Sequence, residues 1–268
     1  RGITPVSPMG DRMKRFSLAC GVVVAVGLWC CGVTAEAQLI DENFEAYPTG
    51  SALSLPWWYW GSSGTILVDD AVFHGGSGKS LEFNRVSFDY QPFTIGRTLT
   101  PPLEGQGELT YYFRLSGGSD REVLCVFGHN YQNNAVAWWV THGGWFGNAV
   151  ATYSVTQGWT HVMDVVNETW YGVRLDIDVD AHSYDITVWE DGNPTNTAIV
   201  TNLDFRDLLL ADPVDDIQMG DFYASFSDLR TAHVDDLRLI GPRIFADDFE
   251  NGNTGAWSGG KGSQPDKR

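Results

Sequence analysis

Trp170-Tyr171-Gly172-Val173-Arg174-Leu175-Asp176-Ile177-Asp178-Val179-Asp180 alternates with period two. Tyr171, Val173, Leu175, Ile177 and Val179 fall on one face; Trp170, Arg174, Asp176, Asp178 and Asp180 fall on the other. That is the pattern of a strand with one face buried and one wet, as in an antiparallel sheet. Asp180-Ala181-His182-Ser183 then turns the chain, Tyr184-Asp185-Ile186-Thr187-Val188-Trp189 returns it, and Glu190-Asp191-Gly192-Asn193-Pro194 turns it again. Favourable turn residues at both ends make this a hairpin. Upstream, residues 108–115, 122–128, 135–141 and 149–155 carry β-branched and aromatic runs between Gly, Asn and Asp clusters and read as successive antiparallel strands. Ile217 to Ser225 and Thr231 to Ile240 supply the last strands, and Phe205 to Leu210 reads as a short helix or an apolar turn. Helical periodicity is otherwise almost absent, so the chain is all-β, a sandwich or barrel.

The first residues belong to a different pattern. Met13-Lys14-Arg15, the apolar run from Gly21 to Trp29 and the small-residue site Thr34-Ala35-Glu36-Ala37 form a secretory signal peptide. The run is shorter than the roughly 20 residues that a membrane span requires. Cleavage is expected after Ala37, with residues 1–12 lying upstream of a start at Met13, and the protein is expected to be secreted or extracellular, or periplasmic. The remaining 231 residues suit one sandwich domain over residues 38–242. After Pro242 the composition shifts to a Gly-, Ser- and Lys-containing tail, residues 243–268, whose end is expected to be disordered.

The formal charge is −17, and removing the leader takes away Arg1, Arg12, Lys14 and Arg15 against only Asp11 and Glu36. So acidic a surface repels nucleic-acid phosphates and anionic lipid, which excludes nucleic acid as a partner. It suits neutral glycans, cations or basic partners, and it also keeps an exported protein in solution. Cys20, Cys30 and Cys31 lie in the leader; Cys125 stands alone in an apolar strand pattern. A lone cysteine excludes an intramolecular disulfide and a multi-cysteine metal site, and reads as a buried thiol.

Two acidic segments bracket the domain. Asp41-Glu42-Asn43-Phe44-Glu45-Ala46-Tyr47-Pro48-Thr49-Gly50 opens it and His233-Val234-Asp235-Asp236-Leu237-Arg238-Leu239 closes it. Between them stand His74-Gly75-Gly76-Ser77-Gly78-Lys79-Ser80-Leu81, Trp170 to Leu175, and Val188-Trp189-Glu190-Asp191-Gly192. In this order, over residues 40–240, the chain resembles the concanavalin A-like lectin/glucanase jelly rolls, particularly laminin-G-like domains of exported bacterial proteins. The opening and closing segments are also similar to carbohydrate-binding modules with a galactose-binding-type jelly roll. The resemblance implies a two-sheet antiparallel jelly-roll sandwich with a structural calcium between the first and last strands. Carried onto this chain, it implies side-chain oxygens from Glu45 and from one of Asp235 or Asp236, with a backbone carbonyl from Lys79. Strict alternation groups Asp235 with Leu237 and Leu239, and Asp236 with Val234, and leaves that choice open. The Asp176, Asp178, Asp180 row has no following loop to wrap an ion and reads as a solvated face.

Sugars stack their C–H faces on aromatic rings and need polar groups nearby, so an exposed Trp beside Asn, Asp or His is the feature to seek. In Ala135-Val136-Ala137-Trp138-Trp139-Val140, Trp138 shares a face with Val136 and Val140, so Trp139 points away. His129, Asn130, Tyr131, His142 and Trp145 flank it. The candidate ligand-binding residues are therefore Trp139, Trp145, Tyr131, His129 and Trp170, with polysaccharide or glycoconjugate as partner, although packing alone is the ordinary use of such rings. Trp57-Trp58-Tyr59-Trp60, as a strand, sends aromatics to both faces. Glycosidases need paired carboxylates at a set separation, and the Glu-x-Asp-x-Glu strand of jelly-roll glucanases is missing. The Arg-, Gln/His- and Tyr-bearing strands of alginate-lyase-like sandwiches have no match, nor do His-Glu-x-x-His or Gly-x-Ser-x-Gly. His161 and His233 read as structural, and no catalytic residue is assigned. The expectation is a monomeric, non-catalytic carbohydrate binder; the alternatives are a polysaccharide lyase or glycoside hydrolase on the same jelly roll, or a structural or adhesive surface protein.

Overall fold

Tyr171, Val173, Leu175 and Ile177 are buried while their alternates face outward, as the sequence pattern predicts. The computed structural model describes residues 36–61, 64–75, 78–85, 93–116, 138–144, 147–205, 214–221 and 231–243. The strands are β1 (Glu36–Glu42), β2 (Trp57–Gly61), β3 (Gly64–Asp69), β4 (Ser80–Arg85), β5 (Phe93–Leu103), β6 (Gln106–Ser116) and β7 (Trp138–Gly144). They continue with β8 (Gly147–Ser154), β9 (Gly158–Asp164), β10 (Trp170–Asp178), β11 (Ser183–Glu190), β12 (Asn193–Asp204), β13 (Val214–Asp221) and β14 (Thr231–Arg243). Among the described residues no helix is long and apolar enough to cross a membrane.

The large sheet has eight strands in the order β12-β11-β10-β6-β14-β4-β3, with β1 also paired to β14. β14 is long enough to serve two neighbours along one edge. Its first half pairs with β4, His233 opposite Glu82, and its second half with β1, Leu237 opposite Glu42. β6 runs along its other edge. Two three-stranded sheets, β13-β5-β2 and β7-β8-β9, supply the opposing layer. Ile95, Leu99, Ile217 and Met219 from the first, and Val150, Val162 and Met163 from the second, join Leu81, Phe83, Leu109, Phe113, Val173, Val188 and Val234 of the large sheet in one apolar core. The hydroxyls of Thr152 on β8 and Tyr184 on β11 hydrogen-bond across the layers. The result is a two-sheet antiparallel sandwich.

Some strands escape the sequence pattern for identifiable reasons. β5 contains Pro101 and Pro102, which lack an N–H for a ladder; they sit between Thr98 and Leu103, where the pairing with β13 shifts register. β12 opens on Asn193-Pro194-Thr195-Asn196 and lies at the edge of its sheet, where proline and polar residues are tolerated. β1 begins at Glu36, before the cleavage point expected after Ala37. The leader before Glu36, the expected strand at 122–128 with Cys125, residues 206–210 and the tail beyond Arg243 lie outside the described residues.

Candidate ligand face and acidic clasp

In β2 the alternation sends Trp57 into the core and leaves Trp58 and Trp60 on the outer face of the layer. Trp58 is opposite Gly96 of β5, and Gly96 is in turn opposite Gln218 of β13. In the adjoining row Trp60 is opposite Thr94, and Thr94 is opposite Gly220. Trp58 lies across Gly96 so closely that a Cβ there would stand 2.2 Å from Cζ2 of the indole. The missing side chain is the seat of the ring. Trp60 keeps 43% of its surface exposed. Beside these rings Thr94 and Gln218 are buried, and neither Thr94 Oγ1 nor Gln218 Oε1 has a hydrogen-bond partner among the described residues. Gln218 Nε2 donates to Asp216 Oδ2 at 3.5 Å. A buried polar atom left without a partner costs about 1–3 kcal/mol. The exposed indole of Trp60 offers a surface on which a sugar ring can stack, with the polar groups of Thr94 and Gln218 buried beside it.

The two acidic segments meet on the outer face of the large sheet, where both grip the connection between β3 and β4. The His74 backbone N–H donates to Asp235 Oδ2 at 3.0 Å. Its ring is 2.8 Å from Asp236 Oδ2 through Nδ1 and 3.3 Å from Asp191 Oδ2 through Nε2. The same ring stacks on Tyr112 at 3.6 Å between centroids and meets Trp170 edge-on at 5.7 Å. At the other end Glu45 Oε1 accepts the Lys79 N–H at 2.6 Å. The Lys79 ammonium donates to the carbonyl oxygens of Glu45 (3.1 Å) and Tyr47 (2.7 Å). Gly78, at φ +145°, leaves the space that the Glu45 carboxylate fills.

Strict alternation fails between Asp235 and Asp236. Asp236 has φ +49°, and the β14–β6 register shifts between Asp235 and Arg238. This bulge lets both Val234 and Leu237 enter the core, while Asp235, opposite Tyr112, lies on the outer face. The grouping of Asp235 with Leu237 is thereby corrected. Asp235 is only 3% exposed, Asp236 is exposed, and burial pushes the Asp235 carboxyl up to about 7 although the His74 and Asp236 N–H groups both donate to it. Among the described residues no basic side chain is hydrogen-bonded to it.

Of the expected ligand-binding residues, Trp170 sits with His74 on the large sheet, on the opposite layer from Trp58 and Trp60. Trp139 occupies β7 opposite Ala151. Trp145, Tyr131 and His129 lie outside the described residues. The pairing of Trp58 with Gly96, and the role of His74 and Asp191, depend on strand register that no local pattern reveals.

No known family model and no curated protein matches this chain. Among solved structures it is similar to a sialidase, with TM-score 0.53 and 11% identity over 78% of this chain and 18% of that one. It is similar to the cellulose induced protein Cip1, with TM-score 0.51 and 14% identity over 78% of this chain and 100% of that one. The lectin UEA-II complexed with galactose gives TM-score 0.51 and 12% identity over 76% and 99%. The fold is the concanavalin A-like jelly roll. Identities this low make the likeness one of fold. The jelly roll spans less than a fifth of the sialidase and essentially the whole of the other two.

Proposed function

We propose that this jelly roll is an exported, monomeric carbohydrate-binding protein that takes polysaccharide or glycoconjugate on the outer face of β2, β5 and β13. One observation carries the reading: exposed Trp60 stands beside Trp58, seated on Gly96, with Thr94, Asp216 and Gln218 on the same face. The strong negative charge favours neutral chains over anionic ones. Galactose on a lectin of the same fold supports sugar as the ligand class. In a polysaccharide pull-down, Trp60→Ala and Trp58→Ala are expected to weaken retention about tenfold or more, the equivalent of about 1.4 kcal/mol. Trp170→Ala is expected to leave it unchanged. Retention that ignores both β2 substitutions sinks the assignment, and release of reducing or unsaturated ends from the same panel turns the reading toward an enzyme.

A structural calcium belongs to the same proposal. Buried Asp235, to which no basic side chain is hydrogen-bonded among the described residues, is a hard oxygen donor suited to a dication. Asp235 would hold it together with Glu45 or Asp236 and the Lys79 carbonyl, and the ion would tie the opening and closing segments together. Calcium is expected to raise the melting temperature of chelator-treated protein, and Asp235→Asn to remove the shift, since a ligand that binds only the folded state stabilises it. An identical melt with and without calcium contradicts this part.

A further inference from the structure

Across the outer face of the large sheet, His233 of β14 lies directly opposite Glu82 of β4, and Asp69 closes β3 beside them. Among the described residues this is the one group of three His, Cys, Asp or Glu side chains whose ligand atoms all lie within 4.8 Å of one another. His233 Nε2 is 3.4 Å from Asp69 Oδ2 and 3.7 Å from Glu82 Oε2. His233 is 3% exposed, yet neither ring nitrogen makes a hydrogen bond. A buried imidazole without a well-formed hydrogen bond is costly, and here its Nε2 is directed at two carboxylates, 3.4 Å from one and 3.7 Å from the other.

The electrostatics also lack a counter-charge. Arg114, opposite His233 on β6, is engaged by Glu168. Asp69 is otherwise bonded to backbone N–H groups of Ala71 and Val72. Burial and the nearby Asp69 charge push the Glu82 carboxyl upward. His74, by contrast, uses its two ring nitrogens on two different carboxylates, so its ligands do not converge on one point.

Separations of 3.4 and 3.7 Å are those of ligands around a small ion. Donors at about 2.1 Å from a tetrahedral zinc stand about 3.4 Å apart. One imidazole nitrogen with two carboxylate oxygens selects a borderline transition ion over calcium. We propose that Asp69, Glu82 and His233 form a binding site for a divalent transition-metal ion of the zinc class, with water completing the coordination, distinct from the calcium site between the terminal segments.

The test is calorimetric titration of chelator-stripped, dialysed full chain with zinc chloride, with melting curves in parallel. A single equivalent is expected to bind with micromolar or tighter affinity and to raise the melting temperature, and excess calcium is expected not to displace it. Glu82→Gln and Asp69→Asn should each weaken zinc binding about tenfold or more; both side chains are partly exposed, so they carry the test even where His233→Ala does not fold. His74→Ala and Glu45→Gln should retain full zinc binding. Absence of stoichiometric binding, equal binding by Glu82→Gln and Asp69→Asn, displacement by calcium, or loss in His74→Ala overturns the site.

Discussion

Gly96→Val is expected to abolish polysaccharide binding while leaving the sandwich folded. A Cβ at this position would stand 2.2 Å from Trp58 Cζ2 and 2.5 Å from Cε2, well inside contact distance, so the branched side chain must evict the indole from the sheet. Overpacking of this kind costs about 1–3 kcal/mol, a loss that a domain with one continuous core across both layers is expected to survive. Gly172 provides the matched control. On β10 it seats Trp189 in the same manner, with a Cβ there falling 2.1 Å from Trp189 Cε2. Gly172→Val should destabilise by a similar amount and yet keep binding, because Trp189 faces outward from the other layer. Urea denaturation measures the stability of both variants and retention on polysaccharide measures the function. Equal loss of binding in the two variants would show that the effect is stability alone.

The second large effect is on pH dependence, measured in chelator so that no ion neutralises the groups. Burial holds the Asp235 carboxyl at about 7, above its ordinary value near 3.8. Between pH 4 and pH 7 the unfolded chain loses this proton while the folded chain keeps it, so the contribution is present at low pH and lost as pH rises to about 7. Burial lowers His233 from 6.5 to about 4. Over that interval the unfolded chain binds a proton that the folded chain refuses, so this contribution is complete above pH 6.5 and lost as pH falls toward 4. The two limbs oppose each other, each on the order of a few kcal/mol at about 1.4 kcal/mol per pH unit. Asp235→Asn should therefore unmask stability that rises with pH between 4 and 6.5, and His233→Gln stability that falls between 4 and 7. Urea midpoints from pH 4.5 to 8 test this; parallel curves for wild type and both variants contradict it.

The sandwich was readable wherever one strand carries its own evidence. The Trp170–Val179 alternation and the hairpin after it appear in the sequence because period two needs no partner. Where two strands must meet, the sequence is silent. Trp58 and Trp60 are visible as a run of rings, but their value as a platform comes from Gly96 and Gln218, which only the β2-β5-β13 register sets beside them. Asp69 and Glu82 come from consecutive strands and His233 from a strand far along the chain, and together they show no spacing that marks a metal site. The Asp235–Asp236 bulge defeats alternation because one left-handed residue resets which face each later side chain occupies. Resemblance singled out Glu45, Lys79 and the closing aspartates as ligands of an ion, while it gave no sign of the contacts that His74 makes with Asp235 and Asp236.

The most direct measurement is the indole N–H spectrum of the full chain during titration with an oligosaccharide from a retained polysaccharide. The Trp58 and Trp60 resonances, assigned from their Ala variants, are predicted to shift with saturation while those of Trp170 and Trp189 stay fixed. Shifts confined to Trp170 and Trp189, or no shift at any indole, would contradict a sugar site on the β2-β5-β13 face.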